Sequence, residues 1–262
     1  MAQWGGSSFV AVGDSFTEGL DDPDGEGGYR GWADLVAARL ASSRPGLRYA
    51  NLAVRGRLLD AVVSEQVPAA VAMTPDLVSF AAGGNDVLRP GFDPDRVRAT
   101  LGTVVRRFTD VGARVVLFTA ADLSTVLPGM VRPRVVRFNE AIRVVAGGFG
   151  ASLVDLWADD GFRHARMWRE DRLHLSTYGH RRVAATVLDA LGEPYDSEWR
   201  ATLPPEPPKP WLSARQADLR WARQHLTPWI RRRLAGRSSG DTVTPKRPEL
   251  SPVFSGGADQ VP

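Results

Sequence analysis

Five short runs of apolar and β-branched residues recur along the chain: Ser8–Val12, Leu47–Leu52, Asp76–Ala82 (DLVSFAA), Ala113–Thr119 (ARVVLFT) and Ala151–Leu156. A strand with one face in water alternates apolar and polar side chains, whereas a run that is apolar throughout reads as a strand covered on both faces. Helical spacing follows each run, at about 29–43, 58–73, 93–111, 133–148 and 177–191. The third of these stretches is the clearest. Asp93 offers an N-cap, Pro94 suits the first helical position, and Val97, Leu101, Val104, Val105 and Phe108 form one apolar stripe. Strand–helix alternation of this kind predicts an α/β fold: a five-stranded parallel sheet with helices on both faces and right-handed crossovers.

The pattern ends near Gly192, which sets residues 1–195 apart as one domain and 196–262 as an appendage. Leu203–Pro210 (LPPEPPKP) reads as a stiff, extended linker. Residues 211–234 then look amphipathic, with Leu219, Ala222, Leu226 and Ile230 at helical spacing. Thr227-Pro228 is expected to divide them into two helices, Thr227 capping the second. From about residue 236 the Ser-, Gly- and Pro-rich composition predicts disorder.

Charge follows the same division. Residues 1–200 hold 23 basic and 25 acidic side chains, a balance of −2, while residues 201–262 hold 10 and 5, a balance of +5. The basic character therefore belongs to the tail, and the main domain carries no electrostatic footprint for nucleic acid. Cysteine is absent, which removes disulfides and thiolate metal sites. The opening residues, Met1–Ser8, have neither the basic nor the apolar region of a secretory leader, and no apolar run approaches a membrane span. The expected location is cytoplasmic.

In an open parallel sheet, ligands bind beyond the carboxyl ends of the strands. Gly13-Asp14-Ser15 follows the first run, Asn51–Gly56 the second, and Gly83-Gly84-Asn85-Asp86 the third; Asp171-Arg172-Leu173-His174 leads into the last helix. Together they offer a hydroxyl, a glycine amide, a carboxamide and an Asp/His pair, the parts of an acyl-transfer site. Ser15 is the candidate nucleophile, His174 its base and Asp171 the group that orients the imidazole. The Ser15 amide, the Gly56 amide and the Asn85 carboxamide are the candidate oxyanion donors. Taken singly, each piece has a plain alternative as a turn or a surface pair; their joint order along the chain carries the enzymatic reading.

These four blocks resemble those of the SGNH hydrolases, also called the GDSL esterase/lipase family, with Ser15, Gly56, Asn85 and His174 matching the four residues that give the family its name. The resemblance covers about residues 7–191 and implies a flavodoxin-like three-layer α/β/α sandwich and serine-dependent ester hydrolysis without a cofactor. Phe16 stands where the family motif often has leucine, a conservative departure. The expected partner is a small-molecule ester: a small acyl, acetyl-sugar or lipid ester. An acyltransferase on the same site is the alternative enzyme. A non-catalytic module contacting a membrane surface or partner through residues 211–234, with Trp211, Trp221, Trp229 and Arg231–Arg233, is the alternative from another class.

Rival motifs fail. No Gly-x-Ser-x-Gly elbow exists, Gly25–Gly31 (GEGGYRG) misses the dinucleotide spacing, and His164, His180 and His225 fit no zinc pattern. His180 reads as structural. Asp21–Gly28 (DDPDGEGG) reads as a solvated loop or a mobile rim over the site. Arg55 is open to a substrate anion or a surface salt bridge, and Trp157, Phe162, Met167 and Trp168 to an acyl pocket or a packed loop core.

Overall fold

A computed structural model describes residues 4–123, 129–205, 210–228, 231 and 238–254. Its strands are β1 (Ser8–Gly13), β2 (Arg48–Asn51), β3 (Leu77–Ala81), β4 (Arg114–Phe118), β5 (Ser152–Val154) and β6 (Arg247–Pro252). The helices are α1 (Ser15–Glu18), α2 (Gly31–Ser43), α3 (Leu59–Ala61), α4 (Val67–Ala72), α5 (Gly84–Val87), α6 (Pro94–Thr109), α7 (Arg132–Phe149), α8 (Thr177–Leu191) and α9 (Trp211–Trp221).

The strand order is β5-β4-β3-β1-β2-β6. The first five strands are parallel and follow the flavodoxin-like order, with β1 at the point where the winding reverses. Val10 lies between Ala50 and Val78 in register, so the centre of the sheet is apolar along the row as well as across it. Alternate residues of each strand feed two cores. Val10, Val12, Val78 and Phe80 pack with α6 and α7, while Phe9, Ala11, Leu77 and Val116 pack with α2 and α8. The α6 stripe is buried as its spacing predicts, and Asp93 caps the helix by accepting from Asp95 N at 2.9 Å and Arg96 N at 3.2 Å.

Three expectations for the tail are corrected. First, the sheet has six strands and is mixed, because β6 pairs antiparallel with β2. Second, residues 238–254 are therefore not disordered as composition predicts. Pro248 and Pro252 lack the N–H a central strand needs, yet an outer strand tolerates them. The Arg247 guanidinium stacks over the Tyr49 ring at 5.4 Å, a tertiary contact that sequence composition does not report. Third, Thr227 does not cap a second helix. The helix runs on from α9 through a wider five-residue turn, Ala222–Leu226, with Thr227 itself helical and its hydroxyl donating to Ala222 O at 2.9 Å. The wide turn precedes Pro228 and absorbs the missing proline donor. The same device appears at Val62–Gln66, ahead of Pro68.

The expected apolar stripe of this helix is not buried: Leu219 is 61% exposed, while Ala222 and Leu226 are half-buried. Ile230, Trp229, Arg232, Arg233 and the Trp211 side chain lie outside the described residues. No helix among the described residues is long and apolar enough to cross a membrane.

Candidate active site

Ser15 opens α1 directly after β1, and the approach is set by Gly13. A Cβ on Gly13 would lie 2.4 Å from the Ala81 carbonyl and 2.7 Å from Thr17 Oγ1, so only glycine lets the strand turn this tightly into the helix. Gln66, buried beneath it, accepts from Gly13 N and donates to Gly13 O, both at 2.9 Å. Asp14 caps α1 by accepting from Phe16 N at 3.1 Å. Burial pushes the Asp14 carboxyl up to about 6, against the pull of that N-cap bond and of His174.

Asp171 and His174 sit on the loop before α8. Asp171 Oδ1 accepts from Leu173 N and His174 N, each at 3.0 Å, which locks the carboxylate over its own turn. Asp171 Oδ2 then lies 2.5 Å from His174 Nδ1. That contact assigns the proton to Nδ1 and leaves Nε2 to accept from Ser15 Oγ at 3.1 Å. Burial works against charging His174, but the bond to Asp171 and its charge, aided by Asp21 and Asp14, raise the imidazole above its ordinary value. Burial likewise pushes Asp171 up, and His174 with the two backbone donors outweighs it, holding the carboxyl well below the usual range. Asp21 Oδ2 stands 3.9 Å from His174 Nδ1 as a second, more distant carboxylate.

Asn85 and Gly56 lie on the loops after β3 and β2. Asn85 Nδ2 donates to Asp14 Oδ2 at 3.1 Å and to Arg57 O at 3.0 Å. The neighbouring Asp86 holds the α3 end of that loop by accepting from Leu59 N at 2.9 Å. Gly56 adopts φ +73, a conformation that disfavours any side chain, and its carbonyl accepts from Ser238 Oγ at 3.2 Å. Ser15, Asn85 and His174 line one cavity of about 170 Å³, whereas Gly56 is not among its described lining residues.

That cavity is mainly apolar. Phe16, Leu20, Phe118, Val135 and Phe138 build much of its wall, and Phe162 and Trp168 contribute as the sequence allowed. Trp157 and Met167 do not line it: Trp157 stacks under Arg132, and Met167 is buried in the α2–α8 core. The α7 residues Val135 and Phe138 escaped the sequence reading because an apolar stripe at helical spacing looks the same whether it meets a core or a cavity.

The other candidates resolve structurally. Arg55 pairs with Glu18, Nε lying 3.0 Å from Oε1, and stacks on Tyr29, so it is committed within the chain. His180 is fully buried, with Nδ1 accepting from Trp32 N at 3.2 Å and Nε2 turned to Leu20 O at 3.5 Å. Burial lowers its pKa, against the pull of Asp22. The Asp21–Gly28 loop is tied at its base: buried Asp22 accepts from Thr177 Oγ1 at 2.6 Å and from Gly31 N at 3.1 Å, and Asp24 accepts from Glu26 N and Gly28 N.

A hydroxyl, an imidazole and a carboxylate joined in one hydrogen-bonded chain, at the carboxyl edge of a parallel sheet, define the arrangement used by acyl-transferring serine hydrolases. The GDSL-like Lipase/Acylhydrolase family model matches residues 11–182, and the chain belongs to that family, a family of ester-hydrolysing enzymes. An acetylxylan esterase of Geobacillus stearothermophilus is 25% identical over 209 residues, covering 71% of this chain and 94% of the esterase. The crystal structure of TesA superposes with a TM-score of 0.60 at 26% identity, covering 70% of this chain and 97% of TesA. LAE5, described as an alpha/beta hydrolase enzyme from the metagenome of Lake Arreo, Spain, gives 0.62 at 25% identity, covering 71% and 95%.

Proposed function

We propose that this chain hydrolyses carboxylic esters through an acyl-enzyme on Ser15. The observation that carries the reading is the continuous chain Ser15 Oγ–His174 Nε2 (3.1 Å) and His174 Nδ1–Asp171 Oδ2 (2.5 Å) at the mouth of an apolar cavity. Ser15 Oγ attacks the ester carbonyl carbon while its proton passes to His174 Nε2. The carbonyl π pair moves onto oxygen. Collapse of the tetrahedral species expels the alcohol, which takes the proton from His174. Water then attacks the acyl carbon and gives a proton to His174; the acid leaves as Ser15 Oγ regains its proton. Asp171 stays ionised throughout, as its depressed pKa favours, and compensates the charge on the imidazolium.

The oxyanion donors in this reading are the Ser15 amide, the Gly56 amide and the Asn85 carboxamide. Ser15 heads a helix, so its N–H has no carbonyl within that helix to bond. Asn85 Nδ2 releases one of its two resting contacts, Asp14 or Arg57 O, to meet the developing charge.

The wall of Phe16, Leu20, Val135 and Phe138 favours a hydrocarbon acyl group longer than acetyl, because burying each further CH₂ is worth about 0.8 kcal/mol. The deciding experiment is hydrolysis of p-nitrophenyl esters of increasing acyl length, wild type beside Ser15→Ala. The expected result is Ser15-dependent turnover that rises from acetyl to butyryl or hexanoyl. Equal rates in the two proteins would remove Ser15 as nucleophile; a maximum at acetyl would remove the acyl-pocket assignment.

A further inference from the structure

The family match ends at residue 182, yet the described part of the appendage returns to the active site three times. Each time a side-chain donor from the appendage bonds a main-chain carbonyl on a segment that carries a catalytic group. Trp221 Nε1 donates to Asp171 O at 2.8 Å. Ser238 Oγ donates to Gly56 O at 3.2 Å. Lys246 Nζ donates to Glu18 O at 2.6 Å on the helix that Ser15 begins, and also to Tyr29 O, Arg30 O and Asp34.

The contact at Asp171 is the most built of the three. Arg172, the next residue, holds φ +61, a left-handed conformation that a non-glycine residue adopts only when its surroundings enforce it. Those surroundings come from α9. Arg172 stacks over the Trp221 ring at 5.1 Å, and its Nη1 lies 2.8 Å from Asp218 Oδ1. Helix α9 is therefore fastened by polar contacts to the turn between Asp171 and His174, while its Leu219 points away to solvent. A helix that served only to cover the domain would bury that leucine.

We propose that residues 211–228 and 238–254 are a positioning clamp for the catalytic loops, with Trp221 the positioning residue that holds Asp171 in line with His174. The inference rests on the serine-esterase reading above. Trp221 touches no reacting atom and acts through the turn geometry. β6 pairs with the β2 edge of the sheet, and Lys246 just before it is tied to α1.

The test uses the full-length protein and the p-nitrophenyl ester that wild type turns over best, with kcat, KM and Tm measured for wild type, Ser15→Ala, Trp221→Phe and Ser238→Ala. Active sites are counted by labelling with an alkyl phosphonate. Trp221→Phe keeps the ring under Arg172 and removes only the donor to Asp171 O. The expected result is a kcat per labelled site lowered about three- to tenfold, the worth of one neutral hydrogen bond, with KM within about twofold and Tm unchanged. Ser238→Ala is expected to act in the same direction. A Trp221→Phe kcat per labelled site equal to wild type overturns the clamp and leaves the esterase reading standing, as does a loss accounted for entirely by fewer labelled sites at lower Tm. Wild-type protein with no Ser15-dependent turnover or labelling overturns both.

Discussion

Replacing Asp171 with asparagine keeps the volume and changes one oxygen to an amide nitrogen, and the site leaves that nitrogen no good place. In one orientation the amide oxygen takes the Oδ1 position and still accepts from Leu173 N and His174 N. The NH₂ group then faces His174 Nδ1, which must accept, so Nε2 carries the proton and offers no lone pair to Ser15. This is the wrong tautomer, and it costs about 10⁴ in kcat where such a carboxylate has been replaced in a serine triad. In the other orientation the amide oxygen meets the Nδ1 proton, but the NH₂ confronts two backbone donors. Two unsatisfied N–H groups cost on the order of 2–6 kcal/mol, which is roughly 30-fold to 10⁴ in the population able to react. Either way Asp171→Asn should lower kcat by about 30-fold to 10⁴. The substitution also removes the charge that raises His174, so the acid limb of kcat/KM should move to lower pH. Steady-state hydrolysis between pH 5 and 9 reads both effects. A loss below tenfold, or a limb that stays in place, would falsify the assignment of Asp171 as the group that sets the imidazole tautomer.

Other expectations follow from the same geometry. In wild type the base must be neutral to accept the Ser15 proton, so the acid limb of kcat/KM should lie above the ordinary imidazole value of about 6.5, read from a pH–rate profile. Asn85→Ala should reduce kcat about 10²-fold with a smaller change in KM; a rise in KM alone would assign Asn85 to ground-state binding. Gln66→Leu should cost about 1–3 kcal/mol in urea unfolding, because it strips the partner from the buried Gly13 N–H. Asp14 has its folded pKa raised by burial, so its contribution to stability should fall as pH rises from 3.8 through about 6. His180, lowered by burial, acts in the opposite sense and makes stability fall as pH drops below the ordinary imidazole value. Melting curves of Asp14→Ala and His180→Gln across pH 4–7 should separate the two, and parallel shifts with pH in both variants and wild type would count against each.

The chain writes its parallel sheet plainly because a strand buried on both faces leaves no polar alternation, and each such run here is followed by a stripe of helical period. The candidate site was legible for a related reason: strand ends are where such a sheet binds ligands, so Ser15, Asn85 and the Asp171–His174 turn could be picked by position. What stayed hidden depends on contacts between distant segments. Gln66 holds Gly13 across 53 residues of sequence, and nothing local marks it. Phe138 faces a cavity with the same spacing that would face a core. Residues 238–254 look like a polar tail because their order comes from Tyr49, Gly56 and Asp34 rather than from their own composition. Thr227-Pro228 misled for a different reason. A proline normally ends a helix, but the wide turn before it lets the backbone continue.

Because β6 closes the β2 side of the sheet from the C-terminal end, the edge it covers is open for most of the chain's synthesis. Strands β1–β5 and their helices can assemble once residue 191 has emerged, while the pairing partner of β2 is still being made. During that interval β2 presents unpaired backbone groups to any passing strand, including the same edge of a sister chain. The late-arriving β6, with Pro248 and Pro252 and an exposed outer face, replaces that edge with one that propagates pairing poorly. A chain shortened before residue 247 should thus keep its sheet and self-associate more readily than the chain that carries β6.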